Sequence, residues 1–132
     1  MMKKKILIVD DNEDIAKGLR ILFRAHGFIP ILAGDAVSAI SQAKNENPDV
    51  ILLDLGLPAG DGYVVMQRLS NIESLAFTPV IVLTAREEAF HRDLSLRAGA
   101  KAFFQKPVDH EALLAAVDRI VDGPMSMQPS VI

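Results

Sequence analysis

Five apolar runs alternate with five stretches of helical periodicity along the chain. Unbroken aliphatic runs are typical of parallel strands whose two faces are both covered by helices. They predict strands at residues 6–9, 28–33, 50–53, 79–83 and 102–104. Apolar residues that recur every three or four positions predict the helices. These lie at residues 13–26, from 36 to about 47, 62–70, 86–97 and 109–121.

The residues between these elements support the same division. Asp11 or Asn12 is the expected N-cap of the first helix, and Asp35 that of the second. Pro30 lacks a backbone donor, so the second strand is expected at an edge of the sheet. Alternating strands and helices favour right-handed crossovers and a parallel sheet between two helical layers. The edge position of strand two fits the strand order 2-1-3-4-5 in a single α/β domain.

Carboxylates follow two of the predicted strands. Asp10 and Asp11 come directly after the first, and Asp54 directly after the third. In open α/β sheets, ligands bind in the crevice beyond the carboxyl ends of the strands. Three carboxylates in one crevice repel one another unless a cation is present. The sequence therefore predicts a divalent-metal site that contains one potentially reactive Asp.

Composition narrows the classes of function. A length of 132 residues fits one domain, and a net charge of −3 argues against a nucleic-acid or membrane surface. The chain has no cysteine, which excludes disulfides, thiol catalysis and thiolate metal sites. The apolar run after the N-terminal lysines is too short for a secretory signal, and no run approaches transmembrane length. We therefore expect a cytoplasmic protein.

Taken together, these landmarks resemble a response-regulator receiver domain of two-component signalling. A Gly/Pro-rich loop with Gly56, Pro58 and Gly60 follows Asp54. The resemblance spans about residues 4–122. Its motifs are Asp10-Asp11, Asp54-Leu55-Gly56-Leu57-Pro58, Asp61-Gly62, Thr84-Ala85, Gly99-Ala100 and Lys106-Pro107. The implied fold is the flavodoxin-like (βα)5 arrangement of chemotaxis-type receivers. Residues 1–122 are then the receiver domain, and residues 123–132 a C-terminal tail or the start of a linker.

The resemblance implies a role for each carboxylate. Asp54 is the phosphoacceptor, which takes a phosphoryl group from a histidine kinase or a histidine phosphotransfer protein. Asp11, Asp54 and the backbone carbonyl of Gly56 are implied ligands of Mg²⁺, with Asp10 acting through water. Such hard oxygen ligands suit this ion. The alternative for Asp10 and Asp11 is helix capping, which satisfies free N–H groups at a helix start.

Four further residues complete the implied switch. Lys106 pairs with the acceptor and then with a phosphoryl oxygen, and its bond to Pro107 is expected to be cis. Thr84, helped by the backbone N–H of Ala85, binds the phosphoryl group, while Phe103 acts as a rotamer switch. The surface of helix four, strand five and helix five then changes its partner preference. The alternatives are a solvated lysine, an ordinary strand threonine and a core phenylalanine.

Two positions are candidates for tuning the lifetime of the phosphoryl group. Gly56 stands two residues after the acceptor and has no side chain with which to orient water. Arg86 stands two residues after Thr84 and is long and charged. We expect Arg86 to cover part of the site and slow hydrolysis, the alternative being a solvated arginine at a helix start.

Two other classes of function were compared with the receiver. A haloacid-dehalogenase-type phosphatase also uses an Asp nucleophile after a strand, but it needs a second Asp where Gly56 stands. A flavodoxin-like cofactor binder needs a phosphate loop after the first strand, where the chain has carboxylates instead. A receiver is a signalling switch rather than an enzyme, apart from its own phosphorylation and dephosphorylation.

The output is left open between two possibilities. The chain is either a stand-alone receiver or a receiver cut from a larger regulator or hybrid kinase. Its expected partners are the phosphodonor and a downstream protein or output domain. A second copy, bound through helix four, strand five and helix five, is a further candidate partner. No contact of this domain with nucleic acid or membrane is expected.

Overall fold

The computed structural model describes residues 3–58 and 61–127, in which strands and helices alternate. The strands are β1 (Lys5–Val9), β2 (Ile29–Ala33), β3 (Val50–Leu53), β4 (Val80–Thr84) and β5 (Ala102–Gln105). The helices are α1 (Glu13–Ala25), α2 (Ala36–Glu46), α3 (Gly62–Ser70), α4 (Glu88–Arg97) and α5 (His110–Met127). A 3₁₀ turn at Glu73–Leu75, which the sequence analysis did not predict, precedes β4.

The strands form one parallel sheet in the order β2-β1-β3-β4-β5. This confirms the predicted α/β fold and strand order. Pro30 lies in edge strand β2, which pairs with β1. In the register of β1 and β3, Val9 lies beside Leu53, so that Asp10 and Asp54 leave the sheet next to each other.

Each face of the sheet has its own apolar core. Side chains of a strand alternate between faces, so Leu7 and Val9 pack on the side of α2 and α3. Ile6 and Ile8 pack on the side of α1 and α5. This double burial explains why the strands are aliphatic at nearly every position.

Side-chain caps fix the starts of four helices. At the start of α5, Asp109 accepts a hydrogen bond from Ala112 N at 3.2 Å. Asn12, one of the two predicted caps of α1, accepts a hydrogen bond from Ile15 N at 3.1 Å. Asp35 forms a reciprocal capping box with Ser38 at the start of α2, as predicted. Asp61 caps α3. Short polar side chains thus fix where these helices begin.

Several element ends differ from the prediction. Helix α4 begins at Glu88 rather than at residue 86, because the backbone of its N-cap residue Glu87 is extended, with φ −64° and ψ 129°. Strand β5 extends to Gln105. Helix α5 continues to Met127, past the predicted end at residue 121.

Some predictions fall on residues outside the described ranges. Gly60 of the loop after β3 is one of these, and residues 128–132 of the predicted tail are others. The domain boundary at residue 122 therefore stays a prediction. Over the ranges that the structure describes, no helix has both the length and the apolar character needed to cross a membrane.

Gly62, the first residue of α3, packs directly on the main chain that carries Asp54. A Cβ on Gly62 would lie 2.7 Å from the Asp54 carbonyl oxygen and 2.8 Å from Leu55 Cα. The Gly62 N–H also donates to the Leu55 carbonyl at 2.9 Å. Only glycine permits this approach, so the position of α3 depends on the absence of a side chain.

We predict that Gly62→Ala lowers the free energy of unfolding by about 1–3 kcal/mol, because the added methyl group meets backbone atoms. Gly18→Ala is the matched control: Gly18 lies within α1, where a Cβ would meet nothing within 4 Å. The control should stabilise the protein by up to ~1 kcal/mol through helix propensity. Urea denaturation of both variants measures these changes, and equal stability of the two would contradict the prediction.

Candidate functional site

Four strands deliver polar residues to one edge of the sheet. Asp10 and Asp54 follow β1 and β3, Thr84 ends β4, and Lys106 follows β5. Asp10, Asp54 and Thr84 are buried, with exposed fractions of 5, 8 and 1%. The fold thus brings together side chains that stand up to 96 positions apart in the sequence.

Lys106 lies between the two buried carboxylates. Its Nζ is 2.5 Å from Asp10 Oδ2 and 3.1 Å from Asp54 Oδ2. Burial lowers the pKa of Lys106, but the hydrogen bonds and negative charges of Asp10 and Asp54 outweigh it and leave that pKa above its ordinary value. The ammonium group is therefore a permanent cation at neutral pH, and it balances part of the acidic charge.

The second oxygen of Asp54 is also held in place. Asp54 Oδ1 accepts the hydroxyl of Thr84 at 2.7 Å and the backbone N–H of Gly56 at 3.0 Å. With Lys106 on Oδ2, both oxygens of the carboxylate have donors. These contacts fix the orientation of the Asp54 carboxylate.

Asp10, Asp11 and Asp54 form a cluster that suits a cation. One carboxylate oxygen from each lies within 4.8 Å of the others, and Asp11 is exposed. Asn12 occupies the N-cap of α1, so the capping role considered for Asp11 is filled by its neighbour. Asp10 Oδ1 accepts the N–H of Asn12 at 2.9 Å. Three hard oxygen donors at one solvent-facing edge match the preference of Mg²⁺.

Thr84 and Phe103 lie on the same face of the sheet. They project from neighbouring strands, and Phe103 is 5% exposed within the core on the α3 side. Phe104 points to the opposite face and is partly exposed. The Lys106–Pro107 bond is cis. The structure describes one arrangement with Phe103 inside, so its movement stays a prediction.

Arg86 and Gly56 lie against each other beside Asp54. A Cβ on Gly56 would be 3.8 Å from Arg86 Nε and 3.9 Å from Asp54 Oδ1. At its far end, Arg86 Nη1 is 3.9 Å from Asp61 Oδ2. The sequence analysis singled out Gly56 and Arg86 but gave Asp61 no role beyond its motif.

A contact between α3 and α4 was also not predicted from the sequence. The Tyr63 hydroxyl and His91 Nδ1 are 2.9 Å apart, and the two rings stack with centroids 6.0 Å apart. Burial raises the pKa of Tyr63, an effect opposed by the charge of Arg86 and reinforced by that of Asp61. Neither residue belongs to a motif that would have revealed the pair.

Comparison with protein families identifies this arrangement. Residues 6–118 match the response regulator receiver domain family. The chain belongs to this family. Receiver domains are switches of two-component signalling and bind Mg²⁺ at an acidic pocket, which here corresponds to the cluster of Asp10, Asp11 and Asp54.

Relatives of known sequence include both long and short proteins. The chain is 38% identical over 129 residues to the alkaline phosphatase synthesis transcriptional regulatory protein PhoP of Bacillus subtilis, covering 98% of this chain and 53% of that protein. It is 29% identical to protein PilH of Pseudomonas aeruginosa, covering 90% of this chain and 98% of PilH. The chain spans about half the length of PhoP and of IrlR from Burkholderia pseudomallei.

Solved structures support the same family. The receiver domain of the sensor histidine kinase PA1611 from Pseudomonas aeruginosa, with a magnesium ion coordinated in the active-site cleft, has a TM-score of 0.83 and 28% identity. That match covers 91% of this chain and 98% of the other. Chemotaxis response regulator CheY4 of Vibrio cholerae has a TM-score of 0.83 and 25% identity, with coverage of 90 and 99%.

We predict that Lys106→Met destabilises the receiver by roughly 3 kcal/mol, because it leaves two buried carboxylates facing each other without their cation. Thermal and urea unfolding in EDTA measure the loss. Lys101→Met, which removes an exposed lysine just before β5, should cost far less. Adding Asp54→Asn to Lys106→Met should recover part of the stability, and failure of this recovery would argue against charge repulsion as the cause.

Proposed function

We propose that Asp54 is the phosphoacceptor of this receiver and takes its phosphoryl group from a phosphohistidine donor. The observation that carries the proposal is the setting of its carboxylate. Lys106 contacts one oxygen, Thr84 and the Gly56 N–H hold the other, and further carboxylates stand alongside. A carboxylate so placed is an oriented nucleophile beside a fixed cation.

The transfer forms one bond and breaks another. A carboxylate oxygen of Asp54 attacks phosphorus, the phosphorus–nitrogen bond of the donor breaks, and the imidazole nitrogen leaves with the electron pair. Phosphoryl transfer depends on positioning and on neutralising the charge of the transferred group. Lys106 supplies a point charge suited to a phosphoryl oxygen.

Mg²⁺, when bound, supplies the rest of that neutralisation. Asp11, Asp54 and the carbonyl of Gly56 would hold the ion directly, and Asp10 would contact it through water. Asp10 Oδ2 contacts Lys106, and its Oδ1 accepts the N–H of Asn12. Asp11 is exposed and open to a hydrated ion.

The signal would leave the site through β4 and β5. A phosphoryl group adds roughly −1.5 to −2 charge and new acceptor oxygens. The Thr84 hydroxyl, now bonded to Asp54, would turn to a phosphoryl oxygen together with the N–H of Ala85. Phe103, on the same face as Thr84, would then bias the surface of α4, β5 and α5. The added group shifts this equilibrium only by its differential affinity for the two states.

We predict that acetyl phosphate with Mg²⁺ adds one phosphoryl group to the wild type and none to Asp54→Asn. Intact-mass spectrometry followed by peptide mapping measures the product and its position. EDTA should suppress the reaction, because the transferred charge is then left without a metal. Equal modification of wild type and Asp54→Asn, or of neither, would rule out Asp54 as the acceptor.

We further propose that Arg86 prolongs the phosphorylated state. Its guanidinium lies over Gly56 near Asp54 Oδ1, where it can restrict the approach of water. Arg86→Ala is expected to speed loss of the phosphoryl group about two- to fivefold, the range for a partly exposed charge. The rate is measured after removal of acetyl phosphate with Mg²⁺ present. An unchanged rate would contradict this role of Arg86.

For the cellular output, the relatives support two possibilities. The half-length match to transcriptional regulators such as PhoP supports a receiver that works with an output domain, whereas the near full-length match to PilH supports a stand-alone receiver. A histidine kinase or phosphotransfer protein as donor, a homodimer through α4, β5 and α5, and a cytoplasmic location belong to the same proposal. A haloacid-dehalogenase-type phosphatase is disfavoured, since Gly56 offers a backbone N–H where a second Asp is needed.

A further inference from the structure

The side chain of Arg86 lies between Gly56 and Asp61. Its Nε and Nη2 lie 3.8 and 4.0 Å from the position that a Gly56 Cβ would take, and Asp54 Oδ1 lies 3.9 Å from the same position. Its Nη1 faces Asp61 Oδ2 at 3.9 Å, at the start of helix α3. The guanidinium therefore links the loop after β4 to the loop after β3, close to Asp54.

Asp61 is an unusually well-fixed anchor for this bridge. Its Oδ1 accepts the backbone N–H groups of Tyr63 at 3.0 Å and Val64 at 3.3 Å, which cap α3. Those two bonds orient the carboxylate and leave Oδ2 directed at Arg86. Because the cap immobilises Asp61, its contact with Arg86 costs only the freedom of the arginine side chain.

The side chain of Tyr63 lies near the charges of both Arg86 and Asp61. Burial raises the pKa of Tyr63, while the charge of Arg86 lowers it and that of Asp61 raises it. Both charges therefore act on the environment at the start of α3. The mechanism proposed above leaves Asp61 without a chemical task.

We propose that Asp61 is a positioning residue that holds Arg86 over the acceptor and so lengthens the life of the phosphorylated state. This inference rests on the proposed function of Asp54 and Arg86. Tethering Nη1 to Asp61 keeps Nε and Nη2 on the side of Gly56 and Asp54. Without the tether, a long and partly exposed arginine samples rotamers that uncover the site to water.

The size of the effect follows from the exposure of the pair. The two side chains are 35 and 39% exposed, so water and salt screen their attraction. Exposed ion pairs contribute little, which corresponds to roughly a two- to fivefold change in a rate. Asp61 is therefore expected to adjust the lifetime rather than to determine whether phosphorylation occurs.

Asp61→Asn is the decisive variant, because asparagine keeps an N-cap oxygen while removing the charge. Wild type, Asp61→Asn, Arg86→Ala and the double variant are phosphorylated with acetyl phosphate and Mg²⁺ and then desalted. Loss of the phosphoryl group is followed by intact-mass spectrometry. Asp93→Asn, the same charge change on the exposed face of α4, is the matched control and should decay like wild type.

The expected result is that Asp61→Asn loses its phosphoryl group about two- to fivefold faster than wild type. The double variant should decay no faster than Arg86→Ala alone, since Asp61 acts through Arg86. Thermal unfolding of Asp61→Asn should stay close to that of wild type. A purely structural role would lower thermal stability and would not depend on the presence of Arg86.

Three results would overturn the inference. These are an unchanged or slower decay in Asp61→Asn, additive effects in the double variant, and an equal acceleration in Asp93→Asn. Failure of the proposed function looks different, because Asp54 would then take up no phosphoryl group in any of these proteins. Uptake and decay are separate measurements in the same experiment, so the two failures are distinguishable.

Discussion

The shared ammonium group of Lys106 is the interaction on which the site depends. Asp10 and Asp54 are buried side by side because β1 and β3 are neighbours in register. Two neighbouring buried carboxylates repel each other strongly. Removing one partner of such a buried charge cluster destabilises the protein. Lys106 relieves the repulsion from β5, at the far side of β4. The order of the strands therefore determines the charge balance of the site, because it places Lys106 beside both carboxylates.

That constraint also separates the roles of the carboxylates. Asp10 has the shorter contact with Lys106, and its other oxygen accepts the N–H of Asn12. Asp54 shares Lys106 but receives two further donors on its second oxygen, one from β4 and one from its own loop. Asp11 alone of the three is exposed. The three carboxylates therefore differ in their exposure to solvent and in their contacts with Lys106 and Thr84. A receiver that binds both a metal and a phosphoryl group requires such a difference.

The fold was predictable because its signals are local and repeated. The aliphatic runs predicted the strands, and the proline in β2 placed that strand at an edge, which fits the observed order. The carboxylates after β1 and β3 located the site. The contacts between Asp61 and Arg86 and between Tyr63 and His91 were not predictable. Each joins side chains of two separate elements, and no periodicity or motif specifies such a distance. The start of α4 was predicted two residues too early, because no Ser, Thr, Asp or Asn marks the N-cap, which is Glu87.

The contact of Gly62 with the main chain of Asp54 and Leu55 limits where this edge of the sheet can yield. No methyl group fits between the backbone of α3 and that main chain. The strand end at Asp54 therefore has no free space towards α3. Under the proposed function, a phosphoryl group on Asp54 would instead be accommodated on the side of Thr84 and Arg86.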